Sequence, residues 1–420
     1  MSNLPRRGIF LPPAKEPAAS RAIETLKTPG RIYLPISAGH DTAVHPAAGL
    51  YDTVRCGDVL IEPENSDDTP VLATVSGVLA ETMPVNHPQL GELTCAVIDQ
   101  VAMDLPPQAE PRDIRSLAPD EIVEIARLAG IIDEIDGMPL HRRLRAFRTA
   151  SIQLAAADAT DSEPYTSSGW VVLNENAEQV LEGLSLAARA AGAPAYHVAV
   201  QLPAARRRPI IQRLGEEHVY QVGRRYPVDR FGKSGDQPVG RIGVQACLAL
   251  YQAAAYGIPH RDCVITVAGD ALANPQNVRV PFGTLVEDIL AFCGLAKNPA
   301  YVLLGDVMTG VTVSDTKLPI IPGNTCLLAM TSRKTVPFDP CIGCGRCAQV
   351  CHAGLLPYEI IRRLENMHYE RLTSLHPEEC DGCGACSAVC PAGREVAQRV
   401  LEAGEAHSTI LLDWRDEDDV

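Results

Sequence analysis

Aromatic side chains make up only 5% of the 420 residues, and no apolar run reaches the about 18 residues of a membrane-spanning helix. The scarcity of aromatics argues against a stacking platform for bases, and the short apolar runs exclude a spanning helix. Positive charge is also short. With 37 Lys+Arg against 52 Asp+Glu the formal net charge is −15, which speaks against a nucleic-acid footprint and for solubility or a basic protein partner. The opening MSNLPRRGIF has an arginine pair but no apolar core behind it, so no secretory signal is expected. At 46% hydrophobic and 21% charged residues the chain is globular and long enough for two to four domains.

Cysteine, in contrast, is plentiful: there are 14, and eight fall into two runs, CIGCGRCAQVCH from Cys341 and CDGCGACSAVCP from Cys380. Each run has the spacing C-x2-C-x2-C-x3-C, in which three thiolates wrap one iron–sulfur cube and the fourth serves the other. The expected ligand sets are therefore Cys341, Cys344, Cys347 and Cys390 for one [4Fe–4S] cluster, and Cys351, Cys380, Cys383 and Cys386 for a second. Zinc also uses C-x2-C pairs but has no use for a third cysteine two residues on, in both runs. Gly343, Gly345, Gly382 and Gly384 fit tight turns around sulfide. One departure is His352, which stands where the second run has Pro391; it reads as a surface histidine on a looser loop. The other six cysteines, Cys56, Cys95, Cys247, Cys263, Cys293 and Cys326, are scattered singly and read as small buried hydrophobes in a reducing cytosol.

The expected architecture is multidomain α+β. Residues 1–30, rich in proline, form an extended arm lying on another domain. Short β-type runs over 31–105 suggest a barrel-sandwich hybrid of the biotinyl/lipoyl type, without the lysine of a swinging arm. Residues 110–255 alternate helix and strand patterns, as in a Rossmann-like α/β layer. Asp120 is expected to cap a first helix, and Ala177 to Ala191 to form another that stops at Gly192. A β-grasp module of the SLBB kind follows over 256–332, then a two-cluster ferredoxin-like helical domain over 333–402 with a linking helix from Pro357 to Leu372, and an acidic solvated tail over 403–420.

The order of these parts carries a resemblance. The stretch RIGVQAC, then AYGIPHRDCVITVAGDALANPQNVRVPFGTLVEDIL, LGDVMTG, NTCLLAM and the two cysteine runs, preceded by GIFLPPAKE and ADATDSEPYTSS, resembles the RnfC-like family, the C subunits of the Rnf-type ion-translocating electron-transport complexes, which are related to cobalamin reductases and proline-reductase electron carriers. The resemblance implies a cytoplasmic protein, or one peripheral to the cytoplasmic face of a membrane complex, working with its other subunits. Full family sites take hydride from NADH onto FMN, and Glu163, Pro164 and Tyr165 match an element near that flavin. Three elements depart from the pattern. Where the family has a glycine-rich loop, this chain reads Ile132-Asp133-Glu134-Ile135-Asp136-Gly137-Met138-Pro139; Val228-Asp229-Arg230-Phe231 follows Tyr226-Pro227; and Leu248-Ala249-Leu250 follows VQAC. Carboxylates in that loop are expected to repel a phosphate by about 1–4 kcal/mol each at ~4 Å.

The sequence therefore points to an electron-transfer subunit that relays single electrons from a low-potential donor to a partner oxidoreductase or membrane complex, its flavin and NADH site degenerate. An FMN-dependent NADH dehydrogenase or corrinoid reductase, and a structural scaffold, are the alternatives. Two smaller signals are Gly232-Lys233-Ser234, which lacks the first glycine of a phosphate loop, and the basic run Arg206-Arg207-Arg208 with Arg213 and Arg224-Arg225, a landing place for an acidic ferredoxin or flavodoxin.

Overall fold

The computed structural model describes residues 7–417, apart from 27–28, 39–44, 64, 66–67, 103–110, 229–237 and 333–338. Gly232-Lys233-Ser234 and Asp229-Arg230-Phe231 thus lie outside the described residues. The arm begins with an ordered path: Ile9 and Tyr226 exchange both backbone hydrogen bonds at 2.8 Å, Gly8 N–H donates to Val350 O, and Tyr165 N–H donates to Pro13 O. Gly8 is required there, since its φ is +87° and a Cβ would stand 2.6 Å from Tyr226 O.

After a short strand β1 (Glu24–Thr25), the chain builds two small antiparallel sheets. Their strands are β2 (Arg31–Ala38), β3 (His45–Pro46), β4 (Thr53–Val54), β5 (Val59–Glu62), β6 (Val71–Leu72), β7 (Ser76–His87) and β8 (Gly91–Ala102), in orders β2-β8-β7-β4 and β3-β5-β6. In β8 Cys95, Ala96, Val97 and Ile98 are all buried, so this central strand is covered on both faces. Gly77 sits at a register shift of β7, where a Cβ would lie 2.5 Å from Asp99 O.

The next layer opens with α1 (Pro119–Leu128) and α2 (Leu140–Thr149). Ile122 and Ala126 of α1 are buried, but the cap differs from expectation. Pro119 starts the helix, the Glu121 carboxylate accepts the Ala118 N–H, and Asp120 lies in the first turn facing Arg148. Then come β9 (Leu154–Ala159), α3 (Ser168–Ala191), β10 (Ala195–Val200), α4 (Ala204–Leu214), β11 (Val219–Gln221), β12 (Val239–Gly243) and α5 (Val244–Tyr256). Helix α3 starts nine residues before the expected Ala177 and ends at Gly192, as expected, in a left-handed cap with φ 73°. The four strands pair in parallel in the order β11-β10-β9-β12, so the first strand lies beside the fourth and the order reverses between them. Helices α3 and α5 cross closely: a Cβ on Gly183 would lie 1.8 Å from Cys247 O.

Strands β13 (Asp262–Ala268) and β14 (Gln276–Pro281), helix α6 (Val286–Cys293), and strands β15 (Tyr301–Leu304), β16 (Val311–Val313) and β17 (Cys326–Met330) complete a mixed sheet ordered β1-β14-β13-β17-β15-β16. The arm thus supplies its edge strand. One hydrophobic cluster joins this sheet to the antiparallel sandwich, and a second fills the parallel layer.

The cysteine-rich segment folds as short helices α7 (Arg346–Val350), α8 (Pro357–Glu365) and α9 (Ala385–Ala388), closed by α10 (Val396–Glu417). Two expectations change here. The linking helix stops at Glu365 and continues only as single 3₁₀ turns toward Leu375, with Met367 at φ 54° breaking the run. The expected acidic tail is helical through Glu417, continuing a helix whose Val400 and Ala403 are buried on the cluster segment's own core.

Candidate metal centres and the adjoining crevice

The two cysteine loops adopt one backbone pattern. Gly343 and Gly382 have φ of 67° and 71°, and Gly345 and Gly384, with φ 70° and 75°, cap the N-termini of α7 and α9. Only glycine takes these values without strain, so C-x-G-C-G-x-C is a statement about left-handed turns as well as ligands. Cys341, Cys344, Cys347 and Cys390 line one cavity of about 270 Å³. Cys351, Cys380, Cys383 and Cys386 line another, tighter one. Each cavity takes three thiols from one loop and the fourth from the other, the donor set that suits an iron–sulfur cube. Burial pushes the thiols of Cys383 and Cys386 up to about 12, which iron must offset for them to bind as thiolates.

The cavities differ in setting. Cys341 and Cys344 are exposed and Ile342 between them is 69% exposed, whereas Cys386 is buried. The second loop abuts the rest of the molecule: the Tyr226 hydroxyl lies 2.7 Å from Cys383 O, and a Cβ on Gly384 would stand 2.8 Å from Met308 O. Arg7 Nη1 donates to Cys351 O at 3.3 Å. His352 pairs with Asp381 at 2.8 Å, which holds that carboxyl down to about 2, and Asp381 also accepts the Cys383 N–H. His352, Asp381 and Cys383 bring ligand atoms within 4.8 Å of one another, but Cys383 already belongs to the thiol set.

Glu163, Pro164 and Tyr165 stand between this loop and the core, and none of the three lines the neighbouring crevice. Glu163 is 5% exposed; its carboxylate accepts the Met308 N–H at 2.6 Å and lies 3.0 Å from both the Thr309 and Tyr226 hydroxyls. Burial raises its pKa despite these partners. Lys15, reaching in from the arm, donates to the carbonyls of Asp161, Glu163 and Thr166, and desolvation lowers its pKa.

The crevice itself, about 410 Å³, opens at the carboxyl ends of β9 and β12, where the strand order reverses. Open parallel sheets bind ligands at that place, with phosphate at the N-termini of the helices that follow the strands. Both N-termini are already engaged here. The Glu134 carboxylate accepts the N–H groups of Gln245 at 2.6 Å and Ala246 at 3.0 Å on α5. Asp133 accepts the Gly243 N–H at 3.0 Å and pairs with Arg143 at 2.9 Å. On α3 the Asp161 carboxylate accepts the N–H groups of Gly169 at 3.0 Å and Trp170 at 2.7 Å. Asp133 and Glu134 are thus not loose repelling charges, as their sequence suggests, but bonded plugs. The phosphate of FMN or NADH does not fit these helix ends, because the donors it needs already serve carboxylates. Burial pushes Glu134 up to about 8, Asp306 up to about 7 and Asp133 up to about 6.

Reasoning from the sequence missed Tyr226 as a bridge and Asp161 as a cap. A signal for the second was present in Asp161-x-Glu-Pro just ahead of a long helical pattern. The basic run is largely committed internally: Arg206 pairs with Glu16, Arg207 donates to Gln221, Arg213 pairs with Glu178, and Arg225 donates to Gly8 O.

Parts of the chain are similar to known proteins. Residues 5–102 match the RnfC Barrel sandwich hybrid domain, and residues 340–394 match the 4Fe-4S dicluster domain. The C subunit of a proton-translocating ferredoxin:NAD(+) oxidoreductase complex from Clostridium ljungdahlii is 24% identical, over 84% of this chain and 82% of its own. The corresponding protein of a Na(+)-translocating complex from Acetobacterium woodii is 26% identical, over 87% of this chain and 88% of its own. The C subunit of an ion-translocating oxidoreductase complex from Pseudomonas aeruginosa is 28% identical, over 84% of this chain, which spans only 49% of that relative. A chain of a solved NAD+-reducing [NiFe]-hydrogenase aligns with 70% of this chain and 65% of its own at 16% identity, with a TM-score of 0.44, a loose likeness. Among the described residues no helix is long and apolar enough to cross a membrane. The chain thus joins an RnfC barrel-sandwich match to a 4Fe-4S dicluster match and is similar along most of its length to the C subunits of ion-translocating oxidoreductase complexes.

Proposed function

We propose that this protein is the electron-transfer subunit of an Rnf-type complex and that it holds two [4Fe–4S] clusters, one on Cys341, Cys344, Cys347 and Cys390, the other on Cys351, Cys380, Cys383 and Cys386. The observation that carries this reading is the division of the eight thiols between two cavities, each drawing its fourth member from the opposite loop. When bound, each cluster supplies reversible one-electron chemistry, and no acid–base residue is required. The chain's own part is positional. The glycine turns set the thiols, Tyr226 and Gly384 fix the second loop against the core, and exposed Ile342 marks where the first loop is open to a partner. The partners we propose are the other subunits of the complex, met at a membrane surface on its cytoplasmic side. The crevice does not suit FMN, so the role proposed for the chain is one-electron transfer without a hydride step.

In the same reading the parallel layer over 110–255 is Rossmann-like and relates to a flavin/NADH domain, residues 256–332 are an SLBB-like β-grasp module, and 31–105 and 333–402 are the sandwich and cluster units. The test is iron and acid-labile sulfide analysis of anaerobic material with spin-resonance spectra after dithionite. About eight of each per chain and two interacting signals are expected; far fewer, or a blank spectrum, would sink the proposal. Cys351→Ala should disturb the cluster of the second run and leave that of the first.

A further inference from the structure

We infer that Glu134 and Asp161 are internal occupants of the crevice's two anion seats, and that Glu134 is the residue by which this chain refuses phosphate-bearing cofactors. Topology creates the seats. A four-stranded parallel sheet whose first strand pairs with its fourth has one reversal point, and the helices leaving those two strands, α3 and α5, aim their N-termini at it. Unpaired N–H groups and the helix dipole make such ends favourable for an anion. In both cases the oxygens of a side-chain carboxyl fill the place, and that carboxyl belongs to the chain.

The fit is close. An ideal Cβ on Gly243, the residue before α5, would fall 2.0 Å from the Glu134 carboxyl carbon, and one on Gly169 would fall 2.9 Å from Asp161 Oδ1. A glycine in that position lets a ligand approach the backbone, and a side-chain carboxylate has taken the approach. Glu134 is held there by its loop: Met138 O accepts the Asp133 N–H, Asp133 O accepts the Gly137 N–H, and Arg143 bonds both Asp133 and Asp136. The Asp161 carboxylate lies beside Lys15, whose ammonium donates to the carbonyls of Asp161, Glu163 and Thr166. Of the two seats, α5 has the occupant borne by a separate surface loop, so one substitution can vacate it.

This inference does not depend on the clusters, and its test leaves them intact as a control. Full-length wild-type, Glu134→Ala and Glu134→Gln proteins, purified anaerobically, would be assayed for bound FMN and for thermal unfolding with inorganic phosphate against chloride of matched ionic strength. The wild type should hold no flavin and respond to phosphate no more than to chloride. Glu134→Ala should unfold earlier in chloride and recover in phosphate, with phosphate bound about tenfold more tightly than by the wild type. The isosteric Glu134→Gln, which keeps the loop's shape and loses the charge, should show a smaller gain of the same sign and carries the test if the alanine variant fails to fold. Stoichiometric FMN in the wild type would overturn the inference. So would variants that lose stability without any specific response to phosphate, which is what a merely structural glutamate predicts. Unchanged iron content and spin-resonance signals in all three keep a failure here separate from a failure of the cluster assignment.

Discussion

Replacing Tyr226 by phenylalanine deletes one hydroxyl from a place where three chain segments meet. That hydroxyl has a single proton to share between Glu163 Oε1 and Cys383 O; in the variant Cys383 O loses this donor, while Glu163 Oε1 keeps the Thr309 hydroxyl. A loss of about 1–3 kcal/mol is expected from denaturant unfolding, with the midpoint potential of the Cys383 cluster moving and that of the Cys341 cluster unchanged in a redox titration. Equal movement of both would show that the tyrosine acts on the whole fold and not on one loop. Glu134 gives a second residue-scale expectation. Its carboxyl is raised from 4.5 to about 8, so the folded state binds more protons than the unfolded one between these values, and stability must fall as pH rises through that window. Asp133, at about 6, acts in the same direction. His260, lowered from 6.5 to about 4, acts in the opposite direction, adding stability as pH rises toward 6.5, so the clean interval lies above that. Melting curves between about pH 6.5 and 8 should slope downward in the wild type and less so in Glu134→Gln. At this scale the sequence was partly legible. The thiols could be assigned because three of each four ligands are local in the chain. The roles of Asp133 and Glu134 could not, since their partners Gly243, Gln245 and Ala246 are more than a hundred residues away.

Elements explain where side chains gain their neighbours. Helices α3 and α5 come within a backbone's reach at Gly183, where an added methyl group would collide with Cys247 O. Gly183→Ala is therefore expected to lower stability by about 3 kcal/mol, the upper end of overpacking costs, even though alanine favours a helix. Calorimetry of the variant checks this, and an unchanged Tm would mean the crossing is looser than described. The start of α3 and the extension of α10 both went unread. Ser168 to Asn176 carries a continuous apolar run, Trp170 to Leu173, without helical spacing, and the end of the chain is mostly charged; the first is buried against the core and the second, through Glu417, continues a helix whose earlier turns are packed. The glycine turns of the cysteine loops were legible because their spacing repeats.

Across the molecule, the arm is the fastening. Starting beside Val350 and Cys351, it crosses Tyr226, passes Lys15 into the crevice wall and ends as an edge strand on β14. Gly8→Val should open this seam, and hydrogen exchange over Val350–Gly354 is expected to quicken while β7 and β8 keep their protection. The cluster segment depends on its metal in a way the rest does not. Its own core is small, centred on Leu355, Ile360, Leu372, Val396, Val400 and Ala403, and five of the cysteines pack against or within it. Removing iron with a chelator should unfold residues 340–405 and leave the sandwich and the parallel layer folded, read as partial loss of helical circular dichroism with one remaining thermal transition. The sandwich near the start and the cluster domain near the end were visible from the sequence, but the seam was not, because it is made of a few hydrogen bonds between distant segments.

The exchange of fourth thiols between loops also governs how the protein can be filled. Neither loop offers all four thiols of a cavity by itself, so under the two-cluster proposal the first cube to arrive draws both loops together and thereby shapes the place of the second. Supplied with half the iron it needs, a population of these chains should sort into full and empty molecules, with few carrying a single cube.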